Sequence, residues 1–129
     1  MGDAENVELM RAAYERWNAT GRLPVDLFDS DIVWENPLAD EKREYHGIPE
    51  VLENMSDVLD SFEYMHNEPE QIVARGELVV VVSQTKIRGR GSGVEFTNRA
   101  AHVWTVRDGR ATHFRVYENV DKALRLVTD

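Results

Sequence analysis

Cysteine is absent from the chain, which removes disulfides, thiolate nucleophiles and thiolate metal sites together. Positive charge is scarce: 15 lysines and arginines stand against 24 aspartates and glutamates, a net charge of −9. Such a surface repels nucleic acid and anionic lipid, so neither is expected as a partner. Long apolar runs are missing as well; the longest, Leu78 to Val82, is far too short to span a bilayer. The residues after Met1 are acidic and lack the apolar stretch of a signal peptide, so a cytoplasmic location is expected. Phosphate-binding glycine loops, Walker motifs and nucleophile elbows do not occur. The glycine-rich stretch 89–93 joins two strand patterns and reads as a turn. The four histidines, at 46, 66, 102 and 113, show no pairing suited to a metal, and no cofactor is implied.

What is present fits one globular domain spanning residues 1–129, with 42% hydrophobic and 30% charged side chains. Val7, Met10, Ala13, Tyr14 and Trp17 recur at helical steps, predicting a helix from about residue 4 to 19, with Asp3 as N-cap and Gly21 as the stop. Pro24 opens a short helical turn through Phe28. Ile32 to Asn36 reads as a brief strand ended by Pro37, and 38–46 as a charged loop. A second helix follows Gly47 and Pro49, its stripe running from Val51 through Met55 and Val58 to Phe62. The period then changes to two. Strands are predicted at about 68–75, 78–90, 94–107 and 111–119, with turns at Gly76, Gly91–Gly93 and Asp108-Gly109. A terminal helix covers 120–126. Helices first and a meander second predict an α+β fold: a strongly bent, mostly antiparallel sheet of five strands wrapped around the N-terminal helices.

Alternation shows which polar residues share a face with apolar ones. On the third long strand Phe96, Asn98, Ala100, His102, Trp104 and Val106 lie together. On the last strand Phe114, Val116 and Glu118 share one face against His113, Arg115 and Tyr117. Tyr117 is an equal candidate for burial, and Glu118 points inward if Phe114 and Val116 do. On the first, Trp34 carries Asn36, and the first helix adds Tyr14. A carboxylate or imidazole in an apolar interior is costly unless hydrogen-bonded or shifted in pKa, so Tyr14, Asn36, Asn98, His102 and Glu118 are candidate site residues. Each also has a structural reading. His102 can be a hydrogen-bonded core histidine, Asn36 a turn residue before Pro37, Tyr14 a packed ring, and Glu118 a solvated strand end.

Three stretches carry a family resemblance: NVELMRAAYERW (6–17), IVWENP (32–37) and AHVWTVRDGRATHFRVY (101–117). With the order of elements they resemble SnoaL-like and ketosteroid isomerase-like proteins, over nearly the whole chain. The resemblance implies the cone-shaped α+β fold also found in nuclear-transport-factor-like proteins. It implies a hydrophobic small-molecule ligand and a homodimer formed through the sheet.

Tyr14 is similar to the isomerases' oxyanion-donating tyrosine, and His102 falls near their second donor, a protonated aspartate. Asn36 stands where their proton-shuttling aspartate belongs, and an amide cannot shuttle a proton. Tyr117-Glu118 is similar to the aromatic–aspartate pair of SnoaL-type polyketide cyclases. Trp34-Glu35-Asn36 is similar to the aromatic-x-Asn segment of limonene epoxide hydrolases. Three functions follow as expectations. The first is a cofactor-independent isomerase, cyclase or dehydratase acting on a hydrophobic carbonyl compound, with Glu118, His102, Tyr14 and Asn36 catalytic. Its pocket walls would be Trp17, Trp34, Met55 and Phe62, with Phe96, Asn98, Trp104 and Phe114. The second is a non-catalytic binding module with the same pocket, and the third an epoxide hydrolase.

Overall fold

A computed structural model describes residues 2–35 and 44–128. Helix α1 spans Asp3–Thr20 and stops at Gly21, whose φ of 69° is the left-handed conformation that a side chain resists. Asp3, expected as the N-cap, lies inside the first turn. Its carboxylate instead accepts the Gly76 N–H at 3.0 Å, tying the start of the helix to a hairpin far along the chain.

A 3-10 turn at Val25–Leu27 leads into strand β1, Phe28–Glu35. Strand β2, Glu44–His46, pairs with it antiparallel. Helix α2 follows at Ile48–Asp60, with Pro49 in its first turn where no N–H is missed. Four long strands come next: β3 at Phe62–Arg75, β4 at Leu78–Gly89, β5 at Glu95–Arg107 and β6 at Arg110–Tyr117. Helix α3, Val120–Leu124, comes last among the elements.

The six strands form one curved sheet in the order β2-β1-β6-β5-β4-β3, with β1 and β6 parallel and every other pair antiparallel. The predicted α+β class and bent sheet are therefore found, with two changes. Residues 44–46, read as loop, form a sixth strand. Strand β3 begins at Phe62 and not near 68, because Phe62 and Met65 continue the apolar spacing of α2 in sequence while leaving it in space. The β5–β6 turn is as its residues demand: Asp108 and Gly109 both have positive φ, 52° and 77°. Proline in a strand interior is confined to an edge, and Pro69 sits on edge strand β3 beside a register shift.

Both faces of the sheet are covered in the middle. On the inner face α1 and α2 bring Met10, Ala13, Tyr14 and Val51 against Val79, Val81, Trp104 and Phe114. On the outer face Val120, Ala123 and Val127 close over Val80, Val82, Ala101 and Val103. The centre of the outer face is thus covered by α3 and the turn after it. Four successive valines, 79–82, are all fully buried because β4 has packed layers on both sides.

Candidate functional site

The inner face is not filled. A cavity of about 150 Å³ lies between α1, α2 and the sheet. Alternation on β5 directs Asn98, Ala100, His102 and Trp104 to it, β6 adds Phe114 and Val116, and Glu118 joins them from just beyond β6. From the helices come Tyr14, Trp17 and Met55, and from β1 Trp34. Two of the predicted walls are elsewhere. Phe62 opens β3 opposite Gly89, and Phe96 is 48% exposed near the start of β5; neither lines the cavity. Both were assigned from periodicity, which does not reveal where the helical cover ends.

At one end of the cavity stands an aromatic cluster. Trp34 and Phe114 stack with centroids 4.0 Å apart, and Trp104 meets Phe114 at 4.5 Å and Trp34 at 5.7 Å. Rigid rings supply large apolar area but few ways to close residual space.

Within this cluster runs a chain of three polar groups. The Trp104 Nε1–H donates to the Tyr14 hydroxyl oxygen at 3.1 Å, and that hydroxyl meets His102 Nδ1 at 2.6 Å. Burial alone pushes the His102 imidazole down to about 4, so it is neutral near pH 7. Burial likewise raises Tyr14 well above its ordinary value, so the phenol keeps its proton. With Trp104 already donating to the tyrosine oxygen, the arrangement that uses every group has Tyr14 O–H donating to Nδ1. The neutral ring then carries its proton on Nε2. That nitrogen has no partner among the described residues and is left as a donor at the cavity wall.

Tyr14 was expected to meet a ligand oxygen itself. In the structure its hydroxyl is engaged between Trp104 and His102, where it sets the tautomer and tilt of the imidazole. The sequence placed Trp104 only as a wall, although a buried indole N–H in an aromatic cluster is a signal that a hydrogen-bond acceptor lies near. The indole N–H groups of Trp17 and Trp34, also buried, have no partner among the described residues.

Glu118 is at the cavity rim, exposed, just beyond the end of β6. Tyr117 faces Ala101 across the β5–β6 ladder and Val116 faces His102. Glu118 therefore follows the partner of His102 by two residues, in the bend after β6. Asn36, the remaining candidate, lies outside the described residues. The sequence reading missed Asn67 on β3 and Thr85 on β4, both of which line the cavity. Alternation from Met65 and from Val81 would have found them. The other histidines are on the surface beside carboxylates: His46 with Glu44, His66 with Glu68, and His113 with Glu35.

With this geometry in place, comparison with known proteins gives a consistent result. Residues 10–114 match the model of the SnoaL-like domain. No curated protein sequence matches the chain. An NTF2-like protein of unknown function from Burkholderia pseudomallei is 25% identical, with a TM-score of 0.74 over 96% of this chain and 98% of that one. TerC, crystallised with polyporic acid, is 21% identical with a TM-score of 0.76 over 96% of this chain and 98% of its own. A protein described as a SnoaL-like polyketide cyclase, from Jannaschia sp. CCS1, is 16% identical with a TM-score of 0.75 over 98% and 93% of the two chains. These likenesses establish a shared fold.

Proposed function

The chain belongs to the SnoaL-like domain family, and we propose that within it this protein is an acid–base enzyme acting on a hydrophobic carbonyl compound, of the isomerase, cyclase or dehydratase type. The observation that carries this reading is the Trp104–Tyr14–His102 chain at the wall of an apolar cavity. It leaves one fixed, neutral N–H donor where charge on a carbonyl oxygen would develop. A donor held in place by its neighbours needs no reorganisation as that charge appears, and in a dry site it acts strongly.

In the proposed reaction the substrate oxygen accepts from His102 Nε2–H. A proton leaves the adjacent carbon for the Glu118 carboxylate while the electron pair moves onto oxygen as an enolate. Return of that proton to a different carbon completes an isomerisation, and attack of the enolate carbon on a second carbonyl, whose oxygen takes the proton from Glu118, would complete a cyclisation. Tyr14 and Trp104 act through His102 as positioning residues.

Deuterium incorporation tests the first step without knowledge of the natural substrate. Aromatic ketones such as 2-tetralone, incubated with the protein in D2O, should exchange the protons beside the carbonyl faster than in buffer. Glu118→Gln should lower that rate by about 100-fold or more, the usual reach of a general base, with unchanged circular dichroism. A rate no higher than in buffer would remove the enzymatic reading.

A second reading, a binding module without turnover, is favoured by the exposure of Glu118. Its carboxylate makes no hydrogen bond to a described residue, so none of these holds it in an attacking pose. Binding of the same ketones without exchange would select it.

A further inference from the structure

The cavity has a second polar locus, remote from the aromatic cluster. Asn67 on β3, Thr85 on β4 and Asn98 on β5 stand in one row across three neighbouring strands, since Asn67 pairs with Thr85 and Thr85 with Asn98. All three line the cavity. The Thr85 hydroxyl donates to Asn67 Oδ1 at 2.7 Å, which orients that amide so that its Nδ2 faces away from the bond. The Asn67 backbone is itself bracketed by Asn18 of α1, whose Nδ2 donates to the Asn67 carbonyl at 2.7 Å and whose Oδ1 accepts the Asn67 N–H at 3.0 Å. The Asn98 amide has no partner among the described residues. The row thus presents amide donors and a hydroxyl oxygen, without a charged group in it, at the edge of an otherwise apolar cavity.

Its distance from His102 follows from strand geometry. Asn98 and His102 are four residues apart on the same face of β5, roughly 13 Å along the backbone. Between them is Ala100, whose methyl group leaves the floor low, and Glu118, just past the Tyr117 that pairs with Ala101, lines the same cavity. One end of the cavity offers a donor to a carbonyl oxygen, the middle a carboxylate at the rim, and the far end a second set of hydrogen-bonding groups.

We propose that the Asn67–Thr85–Asn98 row is a specificity locus that selects substrates bearing an uncharged oxygen, hydroxyl or carbonyl, at the end opposite the reacting carbonyl. The substrate class is then a flat, apolar body of roughly 10 Å with an oxygen at each end. This rests on the reading of His102 as the contact for the first oxygen. The row carries no cation, so a neutral oxygen fits it better than a carboxylate, whose desolvation nothing there would offset.

Two probes that differ only in the far oxygen test it: 4-hydroxybiphenyl and 4,4′-dihydroxybiphenyl, titrated against intrinsic tryptophan fluorescence. The symmetric probe gains about twofold from its two equivalent orientations. A formed hydrogen bond at the row should add a further factor of about 3 to 10. Asn98→Ala, at an exposed position, and Thr85→Val should each shrink the ratio toward two, weakening 4,4′-dihydroxybiphenyl more than 4-hydroxybiphenyl. His102→Ala should weaken both probes and bring the ratio to two or below, because 4-hydroxybiphenyl then turns its single hydroxyl to the row. A wild-type ratio of two or less with 4-hydroxybiphenyl affinity indifferent to Asn98→Ala, or a larger ratio that survives Asn98→Ala and Thr85→Val together, overturns the locus. If Thr85→Val does not fold, Asn98→Ala alone decides. A ratio of two or less in which 4-hydroxybiphenyl is weakened by Asn98→Ala and not by His102→Ala would leave the locus standing and overturn the reading of His102. Failure of both probes to bind the wild type would overturn both.

Discussion

The two faces of β4 invite comparison, because the same four-valine run feeds both. Val80 and Val82 enter the outer layer, where their partners are valine and alanine from β5 and α3. Val79 and Val81 enter the inner layer, where the partners are tyrosine, tryptophan, phenylalanine and methionine. The outer layer closes with no more than a five-residue helix and the turn after it. The inner layer has two long helices over it and still holds a cavity. Small aliphatic side chains fill the space between a sheet and a helix at close approach. Large rings hold helices away from a curved sheet, and their polar edges must find partners, which is how an aromatic core comes to contain an ordered chain of hydrogen bonds.

The largest expected effect that separates the faces is in acid. Folded His102 titrates near 4 against 6.5 for the ordinary imidazole. Between those values the unfolded chain binds the extra proton, so stability from this group is complete above pH 6.5 and falls as pH drops toward 4. The loss should reach about 2–3 kcal/mol, reduced somewhat by the partial exposure of the ring. Urea unfolding at pH 7 and pH 4.5 should show this loss in the wild type and not in His102→Gln. Equal losses in both proteins would place the acid sensitivity elsewhere.

Next in size is a pair of neighbouring alanines. Ala101 is fully enclosed on the outer face, whereas Ala100 borders the cavity on the inner one. Ala101→Leu should overpack the outer layer and cost about 1–3 kcal/mol, lowering Tm by several degrees. Ala100→Leu should cost less than about 1 kcal/mol, because the cavity accepts the added methyl groups, and should abolish biphenyl binding. Similar Tm losses in the two variants would show that the cavity is closed in solution.

The smallest effect is expected at Ser83, buried between the two loci with a hydroxyl that has no partner among the described residues. Ser83→Ala should be neutral or stabilising by up to about 1 kcal/mol, since it removes an unpaired polar group. A clear loss in urea midpoint would mean the hydroxyl is satisfied by water.

Much of this was legible from period alone. Helix α1, strands β4, β5 and β6, and the Asp108-Gly109 turn stand within a residue or two of their expected bounds, because each combines a strong apolar period with a chemically defined end. Strand β2 was not legible. Three residues in a charged stretch have no pattern, and they become a strand only because β1 offers a free edge. Phe62 and Phe96 were placed in the cavity because both are large, apolar and in phase, and phase says nothing about where a covering helix ends.

The site divides along the same line. That His102, Trp104, Asn98 and Glu118 point toward the helices follows from alternation along two strands, which any one-residue slip would reverse. That β4 is buried on both faces is readable in its unbroken run of valines. The contact between Tyr14 and His102, 88 residues apart, is not readable from either segment. It depends on how far α1 stands from β5, which the bulk of Trp104 and Phe114 and the curvature of the whole sheet decide together. The neutrality of His102 has the same origin, since desolvation is a property of everything around a group. Local pattern determines which side chains face inward, and only the assembled layers decide which of them meet and what charge they keep.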